Sequence, residues 1–300
     1  MIWAVSDIQR QTPLILDFDA SVLPMNAGET RVALGDWQES VRFGCSWQQF
    51  SRLEAHLCPI MPEQYRCVFT GSGDFHHLTL FLLRETARRS LFQEPFDLII
   101  CDNHPDNMRY PFGLHCGSWV SHAASIPFVR HVHVLGICSS DITFPHAWEN
   151  RLTPFFRRKL TYWSVNRRAR WLGLIGRRES CRTFPSADAL IGAFLPVVDA
   201  SPRAYLSLDK DVLSPAVVRT NWDQGIFTTA HLAALASPLR EKLAGIDICG
   251  DVSEYAYANR FKYFLSRLDG QRTLKPEQVR SWQESHRTMN AQLLGLFGTI

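Results

Sequence analysis

The chain has 300 residues, a length that predicts one or two domains because α/β folds often reach about 250–300 residues as a single unit. Apolar residues make up 46% and charged residues 20%, a composition that excludes a disordered chain, a collagen-like fibre and a coiled coil. The formal net charge of +3 is uneven, because segment 155–182 alone carries +8 and the rest of the chain therefore carries −5.

Short apolar runs alternate along the chain with longer segments of helical periodicity. The predicted strands are, in order, Leu14–Phe18, Arg66–Thr70, Asp97–Cys101, His131–Ile137, Trp171–Ile175, Ala204–Leu208 and Gly245–Cys249. The predicted helices are Trp47–Leu57, His77–Arg89, Ala187–Leu195, Thr229–Lys242 and Pro276–Leu296. Continuous apolar runs are typical of strands buried on both faces. Their alternation with helices predicts a single three-layer α/β domain over residues 1–300, with a mostly parallel sheet flanked by helices.

None of the eight cysteines belongs to a C-x-x-C pair, and a chain of this length can bury a core without cross-links. Cys101 and Cys249 lie inside apolar runs, where cysteine behaves as a small hydrophobic residue. No apolar run is long enough to span a membrane, and the first residues do not have the pattern of a signal peptide. We therefore expect free thiols, no membrane contact and a cytoplasmic location.

A pair of histidines follows the predicted strand Arg66–Thr70, in the segment GSGDFHH. The glycines allow a tight turn after the strand, and His76 and His77 would then stand at the strand end and the helix start. Ligands bind beyond the carboxyl ends of the strands in sheets of this kind. Taken alone, a histidine pair at a helix start is more often a cap or a surface feature than a ligand.

Three chemically active side chains follow the predicted strand Asp97–Cys101, in the segment CDNHPDN. Asp102, His104 and Asp106 are spaced i, i+2 and i+4, and such positions of an extended segment point to one side. Two carboxylates and an imidazole are costly to bury together unless they hold a cation. The pattern therefore favours a metal site over a solvated turn.

Two further carboxylates, Asp209 and Asp211, follow the predicted strand Ala204–Leu208 at spacing i, i+2. A surface turn is the alternative, but a second strand that ends in the same kind of acidic cluster makes that alternative less favoured. With His76 and His104, the four carboxylates are a suitable set for two divalent ions. Carboxylate and imidazole donors without a thiolate favour Mn²⁺ or a similar metal over structural zinc.

In this order, the three segments resemble the signatures of the arginase/agmatinase (ureohydrolase) family, G-G-D-H, D-A-H-x-D and S-x-D-x-D-x-x-D-P. The third segment, SLDKDVLSP, keeps Ser207, Asp209 and Asp211 and has Ser214 in place of the last aspartate. The first segment carries one extra residue between its aspartate and its histidines, and we take His76 as the ligand with His77 as the alternative.

The resemblance implies an arginase/deacetylase-like fold and a site for two Mn²⁺ or other divalent ions. Asp102 and Asp209 would bridge the two ions. The resemblance implies the following ligand sets: His76, Asp102, Asp106 and Asp209 for one ion, and His104, Asp102, Asp209 and Asp211 for the other. A hydroxide held between the ions would attack a guanidinium carbon and release urea.

A further histidine, His115, stands after the second motif in the segment GLHCGSWVSH, where the family carries a histidine in a similar context. An imidazole titrates near neutral pH and can pass a proton to the leaving amine. We therefore take His115, together with Asp106, as the catalytic candidates. His122 is a second candidate for the proton transfer, and a satisfied loop histidine is the alternative for both.

The chain departs from the family pattern where the substrate is held. Trp222 and Asp223 would form a substrate wall or belong to an ordered loop. The family places a glutamate that grips the guanidinium after the last strand, but here Gly250 stands there, so Asp251 or Glu254 would have to compensate. A glycine would also leave room for a bulkier substrate. We therefore expect a small-molecule or peptide guanidino substrate other than free arginine, such as a modified amino acid or peptidyl arginine.

The basic segment 155–182 interleaves arginines with aromatic residues, which is typical of nucleic-acid surfaces. Strand-like pieces within it make nucleic acid the least favoured partner, behind an anionic ligand or a plain solvated face. Two other functions remain as alternatives: a zinc-dependent deacetylase-like amidohydrolase that uses Asp102, His104 and Asp209 alone, and a non-catalytic binding protein. By analogy with the family, the chain would form a homo-oligomer.

Overall fold

The computed structural model describes residues 12–65, 67–89, 95–268 and 274–297. Its strands are β1 Leu14–Asp17, β2 Thr30–Ala33, β3 Gly44–Cys45, β4 Cys67–Ser72, β5 Phe96–Cys101, β6 Leu114–His115, β7 Val129–Ile137, β8 Leu160–Val165, β9 Cys181–Phe184, β10 Ala204–Asp209 and β11 Leu243–Asp251. Its α-helices are α1 Gln38–Val41, α2 Trp47–Leu57, α3 Thr79–Arg89, α4 Val120–Ala123, α5 Thr153–Phe156, α6 Trp171–Leu174, α7 Ala187–Ala200, α8 Thr229–Leu239, α9 Arg260–Leu268 and α10 Pro276–Phe297. The chain therefore alternates strands and helices over most of its length.

Nine strands form one sheet in the order β2-β1-β4-β11-β10-β5-β7-β8-β9. Every neighbouring pair in this sheet is parallel. Parallel neighbours need crossover connections, and these place helices over the sheet. A separate antiparallel ladder joins β3 and β6.

Two apolar clusters cover the two faces of the sheet. Side chains alternate along a strand, so Leu98 and Ile100 of β5 join one cluster and Ile99 joins the other. The helices divide in the same way: α2, α3 and α4 pack on the first face, and α7, α8 and α10 on the second. The prediction of a three-layer α/β domain with a parallel sheet is confirmed, as is the packing of the C-terminal helix through Met289 and Leu293.

The predicted strand Trp171–Ile175 is wrong, because these residues form the short helix α6. Only Trp171 and Leu172 of this helix are buried, while Leu174 is 78% exposed. A short apolar run does not distinguish a strand from a helical turn by periodicity. The edge strand instead begins at Cys181 and is only partly buried.

The other predicted strands and helices are confirmed in their cores; the helix Trp47–Leu57 has the predicted bounds, and the others shift at one end or both. Arg66, the first residue of one predicted strand, lies outside the described residues. All eight cysteines are free thiols, as expected. Within the described ranges, no helix is both long and apolar enough to cross a membrane.

The sheet order places the three motif-bearing strands around its centre, because β11 separates β4 from β10 and β10 is adjacent to β5. All of these strands run in the same direction, so their carboxyl ends lie at one edge of the sheet. The residues that follow β4, β5 and β10 therefore meet at that edge, where ligands bind in open α/β sheets.

Candidate metal centre

The first histidine reaches the edge of the sheet through a turn of 3-10 helix, Gly73–Leu78, which follows β4 directly. A Cβ atom at Gly73 would lie 2.9 Å from Asp209 Oδ2, so only a glycine lets this turn approach β10 so closely. Asp74, next in the motif, points elsewhere and accepts a hydrogen bond from Arg42 Nε at 2.6 Å. The turn therefore presents His76, not Asp74, to the carboxylates.

The two ring nitrogens of His76 have separate surroundings. His76 Nε2 lies 3.0 Å from Ser207 Oγ, and Ser207 Oγ donates to Asp247 Oδ1 at 2.8 Å. Because the serine proton goes to Asp247, the hydroxyl accepts from Nε2, and Nδ1 is the ring nitrogen that faces the carboxylates. Nδ1 lies 3.2 Å from Asp102 Oδ2, 2.9 Å from Asp106 Oδ2 and 3.7 Å from Asp209 Oδ2.

His104 is arranged in the same way from the opposite side of the centre. Its Nε2 lies 2.7 Å from Asp223 Oδ1, while its Nδ1 lies 2.8 Å from Asp211 Oδ2 and 3.5 Å from Asp102 Oδ1. Asp223 also accepts a hydrogen bond from Asn103 Nδ2 at 3.1 Å. Asp223 therefore orients His104, a role that differs from the predicted contact with substrate.

The neighbouring histidine, His77, does not join these groups. It is fully buried and forms no ion pair with a carboxylate among the described residues. Burial, together with the positive charges near it, lowers the pKa of His77 well below its usual value. Of the two histidines, the structure brings His76 to the carboxylates.

Four carboxylates are buried at this point: Asp102, Asp106, Asp209 and Asp211. Within the described ranges, no lysine or arginine forms an ion pair with any of them. Burial raises the pKa of Asp211, and Asp209 and Asp102 beside it raise that pKa further. Burial and Asp102 likewise raise the pKa of Asp106. Such a concentration of negative charge with only two imidazoles beside it, and no lysine or arginine partner among the described residues, is what bound cations would balance.

Three sets of donor atoms lie close enough to hold a metal ion, each with all atoms within 4.8 Å of one another. They are His76, Asp102 and Asp106; Asp102, His104 and Asp211; and His76, Asp209 and Cys249. The first two sets share Asp102, whose Oδ2 is buried and has no hydrogen-bond partner in the described structure. An orphaned carboxylate oxygen at the shared position fits a cation there.

Cys249 was missed by the sequence reasoning, which treated it as a small hydrophobic residue. The parallel register pairs Asp209 with Cys249 on adjacent strands, and Cys249 Sγ donates to Asp209 Oδ2 at 3.2 Å. A sulfur donor beside the centre weakens the argument that favoured Mn²⁺ because thiolates were absent. No local pattern in the sequence identifies this contact, because it depends on the pairing of β10 with β11.

The donors form the floor of a cavity of about 460 Å³. All six predicted ligands line this cavity, and so do Trp222, Asp223 and His115. The remaining wall includes Asp141, His146 and Glu149, from the connection between β7 and β8. We call this cavity the metal pocket.

The two candidate proton-transfer histidines have different positions. His115 lines the metal pocket, and its Nδ1 accepts a hydrogen bond from Gly117 N at 2.9 Å. Burial, with a smaller contribution from Lys262, lowers the pKa of His115 to about 3, so the imidazole is neutral at pH 7. His122 packs against Trp47 and is not part of the pocket lining.

Asp251 and Glu254, the predicted substitutes for the family glutamate, do not reach the metal pocket. Asp251 is fully buried and accepts a hydrogen bond from Lys210 Nζ at 2.6 Å. Glu254 is exposed and accepts one from Leu274 N at 2.7 Å. The prediction that they grip the substrate is therefore not supported, because both carboxylates have other partners.

Gly250, at the position of the family glutamate, does not leave room for a substrate. Its φ is +86°, and a Cβ atom there would lie 2.4 Å from Asp209 Oδ1 and 2.7 Å from Lys210 N. That expectation was therefore wrong, since the space beside Gly250 is filled by a carboxylate and by backbone.

Gly250→Ala should destabilise the protein by about 1–3 kcal/mol, because the new methyl group meets Asp209 and the backbone is held at a positive φ. Gly192→Ala is the matched control, since Gly192 lies in α7 with open space around its Cβ position. That change should stabilise the protein by up to about 1 kcal/mol. Urea unfolding of both variants measures the difference, and equal stabilities would contradict the strained conformation at Gly250.

The fold and the cluster of carboxylates and histidines together define the class: the chain has the arginase/ureohydrolase fold. Proclavaminate amidino hydrolase from Streptomyces clavuligerus superposes with a TM-score of 0.55 at 15% identity, covering 96% of this chain and 92% of that one. Arginase from Bacillus subtilis superposes with a TM-score of 0.53 at 13% identity, covering 95% of this chain and 98% of that one. A hypothetical agmatinase from Burkholderia thailandensis superposes with a TM-score of 0.51 at 17% identity, covering 97% of this chain and 87% of that one.

Comparison of sequences finds fewer similar proteins than comparison of structures does. No protein-family model matches the chain. An uncharacterized protein of Thermotoga maritima is 29% identical over 194 residues, which is 64% of this chain and 60% of that protein. The matched part of this chain thus spans about three fifths of that relative.

Proposed function

We propose that the protein is a binuclear metal-dependent hydrolase that cleaves a C–N bond of a guanidino group and releases urea. The observation that carries the proposal is the convergence of His76, His104 and four aspartates on the floor of one pocket. The names of the structurally similar proteins, an arginase, an agmatinase and an amidino hydrolase, support this class of reaction.

The donor atoms fit two divalent ions, Mn²⁺ or another metal that prefers carboxylate and imidazole ligands. His76 Nε2 is hydrogen-bonded to Ser207 and His104 Nε2 to Asp223, so Nδ1 is the nitrogen of each ring that would bind a metal ion. One ion would be held by His76, Asp102, Asp106 and Asp209, and the other by His104, Asp102, Asp209 and Asp211. When bound, such ions lower the pKa of a shared water and orient it for attack.

The pocket lining supports a substrate other than free arginine. A free amino acid carries an α-carboxylate, which needs a cation or several hydrogen-bond donors to be bound away from water. Among the described residues that line the metal pocket, none is a lysine or an arginine. An arginine within a peptide, or an amino acid whose α-carboxylate is blocked, has no such requirement.

The residues of the chain would hold the guanidinium from two sides. Trp222 lies against Gly73 and presents an aromatic ring to the pocket, and a planar cation packs favourably on such a ring. Carboxylates along the floor accept hydrogen bonds from guanidinium N–H groups. His115, a neutral imidazole in the wall, accepts from Gly117 N through Nδ1 and therefore carries its proton on Nε2, from which it would donate a hydrogen bond to the departing nitrogen.

The test is a urea assay on protein loaded with Mn²⁺, using free arginine, agmatine-like amines, blocked arginine and arginyl peptides as substrates. We expect about two metal ions per chain, and urea from blocked or peptidyl arginine but not from free arginine. Mass spectrometry of the peptide should show arginine converted to ornithine. A metal-loaded protein that releases urea from none of these compounds would contradict the proposal.

A deacetylase-like amidohydrolase is the alternative, and it would need only Asp102, His104 and Asp209. Asp106 belongs to the donor set of His76 and Asp211 to that of His104, and both sets contain Asp102, which favours two ions over one. Release of acetate instead of urea would support the alternative, and metal-independent binding would support a non-catalytic protein. A cytoplasmic location, a homo-oligomer and a single domain over residues 1–300 stay predictions.

His115→Ala should lower kcat for urea release by about 10²-fold, the usual effect of losing a hydrogen-bond donor to the reacting atoms. Metal content should not change, because His115 belongs to none of the three donor sets. His122→Ala, outside the pocket lining, is the matched control and should keep full activity. An unchanged kcat in His115→Ala would rule out this role.

A further inference from the structure

A second cleft lies beside the metal pocket and is rich in arginine. It has a volume of about 630 Å³ and is formed by the connections that follow β7, β8 and β9. We call it the arginine cleft, and its principal lining residues are Thr143, Phe144, Arg167, Arg168, Arg170 and Thr183. Since β7, β8 and β9 belong to the same parallel sheet, the arginine cleft lies at the same edge as the metal pocket.

The arginine cleft carries positive charge without compensation. Its described lining contains no aspartate or glutamate, and Arg167, Arg168 and Arg170 form no ion pair with a carboxylate in the described structure. Arg168 and Arg170 are exposed. Thr143 and Thr183 also line the cleft, but their hydroxyl groups donate to Ser140 O at 2.6 Å and to Arg167 O at 2.9 Å, so the arginines supply the donors for a ligand. Uncompensated guanidinium groups in a concave site attract anions.

The loop that carries the arginines is fixed in place. Arg167 O accepts hydrogen bonds from Ser164 Oγ at 2.6 Å and from Thr183 Oγ1 at 2.9 Å. Arg167 Nε donates to Cys138 O at 2.9 Å, and Asn166 N donates to Phe184 O at 3.0 Å. These hydrogen bonds join the loop to β8, to β9 and to the end of β7, so the loop has a defined position in the cleft.

The two cavities share one wall, the segment that runs from residue 141 to residue 149. Asp141 and His146 line the metal pocket, whereas Thr143 and Phe144 line the arginine cleft. Phe144 is 62% exposed on this wall. A ligand that fills the metal pocket and extends over the wall would therefore enter the arginine cleft.

The charges of the two cavities are opposite. Beyond the four carboxylates that the proposed ions would balance, the metal pocket offers Asp141, Glu149 and Asp223, while the arginine cleft offers three arginines. Complementary charge fixes the direction in which a ligand binds. A ligand that is cationic at one end and anionic at the other matches this arrangement.

We propose that the arginine cleft binds an acidic segment of a peptide whose arginine side chain enters the metal pocket. The part that concerns arginine rests on the proposed function, while the part that concerns the acidic segment rests on the arginine cleft alone. The peptide would be selected by acidic residues near its target arginine, so Arg168 and Arg170 determine specificity without taking part in the reaction.

The test measures binding by fluorescence anisotropy with three labelled peptides of equal length. One has a central arginine and an Asp/Glu run, one has the arginine with serines in place of that run, and one has the acidic run without arginine. Two series of peptides are measured, one with the Asp/Glu run before the arginine and one with the run after it. Arg168→Glu/Arg170→Glu should weaken binding of both acidic peptides at least about tenfold and leave the serine peptide unchanged.

Arg240→Glu is the matched control, because Arg240 is an exposed arginine at the end of α8, just before β11, and so lies at the opposite edge of the sheet. It should not change binding of any peptide. Equal binding of the acidic peptides by the wild type and by the double variant would overturn the inference. Tighter binding of a single-stranded oligonucleotide of equal charge would overturn it as well.

The binding of the peptide without arginine separates the two proposals. If that peptide binds through Arg168 and Arg170 but no compound yields urea, the proposed function fails and the arginine cleft stands. If urea forms equally well from the acidic and the serine peptides, and both bind equally, the proposed function stands and the arginine cleft has no part in selecting the substrate.

Discussion

Asp102→Asn should lower urea release about 10³-fold and leave the protein with less than its full metal content. Asp102 is common to the His76 set and the His104 set, so its charge serves both candidate metal positions. Metal-centred stabilisation is worth several kcal/mol, and each 1.36 kcal/mol corresponds to about a tenfold change in rate. The amide keeps the shape of the side chain but not its charge. Elemental analysis and the urea assay measure the two effects.

The same substitution also predicts a thermal signature. A metal that binds only the folded chain raises its melting temperature, so Mn²⁺ should stabilise the wild type measured after chelator treatment. Asp102→Asn should lose most of that shift while its chelator-treated form still unfolds cooperatively. Asp36→Asn, the same change at an exposed position, is the control and should behave like the wild type. If Mn²⁺ raised the melting temperature of Asp102→Asn as much as that of the wild type, the role of Asp102 as a shared metal ligand would be contradicted.

Lys210→Met should destabilise the protein by about 3–5 kcal/mol, the usual cost of leaving one partner of a buried ion pair alone. The Lys210 and Asp251 side chains are fully buried, with Nζ and Oδ2 2.6 Å apart. Asn290 closes the network, since its Oδ1 accepts from Lys210 and its Nδ2 donates to Asp251. The network joins the ends of β10 and β11 to α10. Urea unfolding measures the change.

Asp251→Asn should be destabilising for the same reason, and the double variant Lys210→Met/Asp251→Leu should be less destabilised than either single variant, because no unpaired charge stays buried. Lys275→Met, at an exposed lysine before α10, is the control and should fall within about 0.5 kcal/mol of the wild type. Single variants no less stable than this control would show that the pair contributes little.

The central strands could be predicted from the sequence because they are buried on both faces and so appear as continuous apolar runs. β2 and β9 could not, since they lie at the two edges of the sheet and are largely exposed or half-buried. The apolar run at Trp171 was misassigned because only two of its residues face the core. Burial at an edge depends on neighbours that are distant in the chain, and a local pattern does not contain them.

The acidic clusters after β5 and β10 could also be predicted, since parallel strands bring their carboxyl ends together. The partners of individual side chains could not. Cys249 reaches Asp209 through the register of β10 with β11, and Asp223 reaches His104 across a long connection. Asp251 was assigned to the substrate because its buried lysine partner, forty-one positions earlier, gives no local signal. Such pairings depend on tertiary packing alone.

The left-handed backbone at Gly250 limits the evolutionary routes open to this chain. Because the position beside Asp209 has no space for a Cβ atom, a single codon change there cannot install the glutamate that would grip a guanidinium. Acquiring it would require the end of β11 to be rebuilt. We expect substrate preference to change more readily in the wall between residues 141 and 149, whose side chains form no hydrogen bond or ion pair with the candidate metal ligands in the described structure.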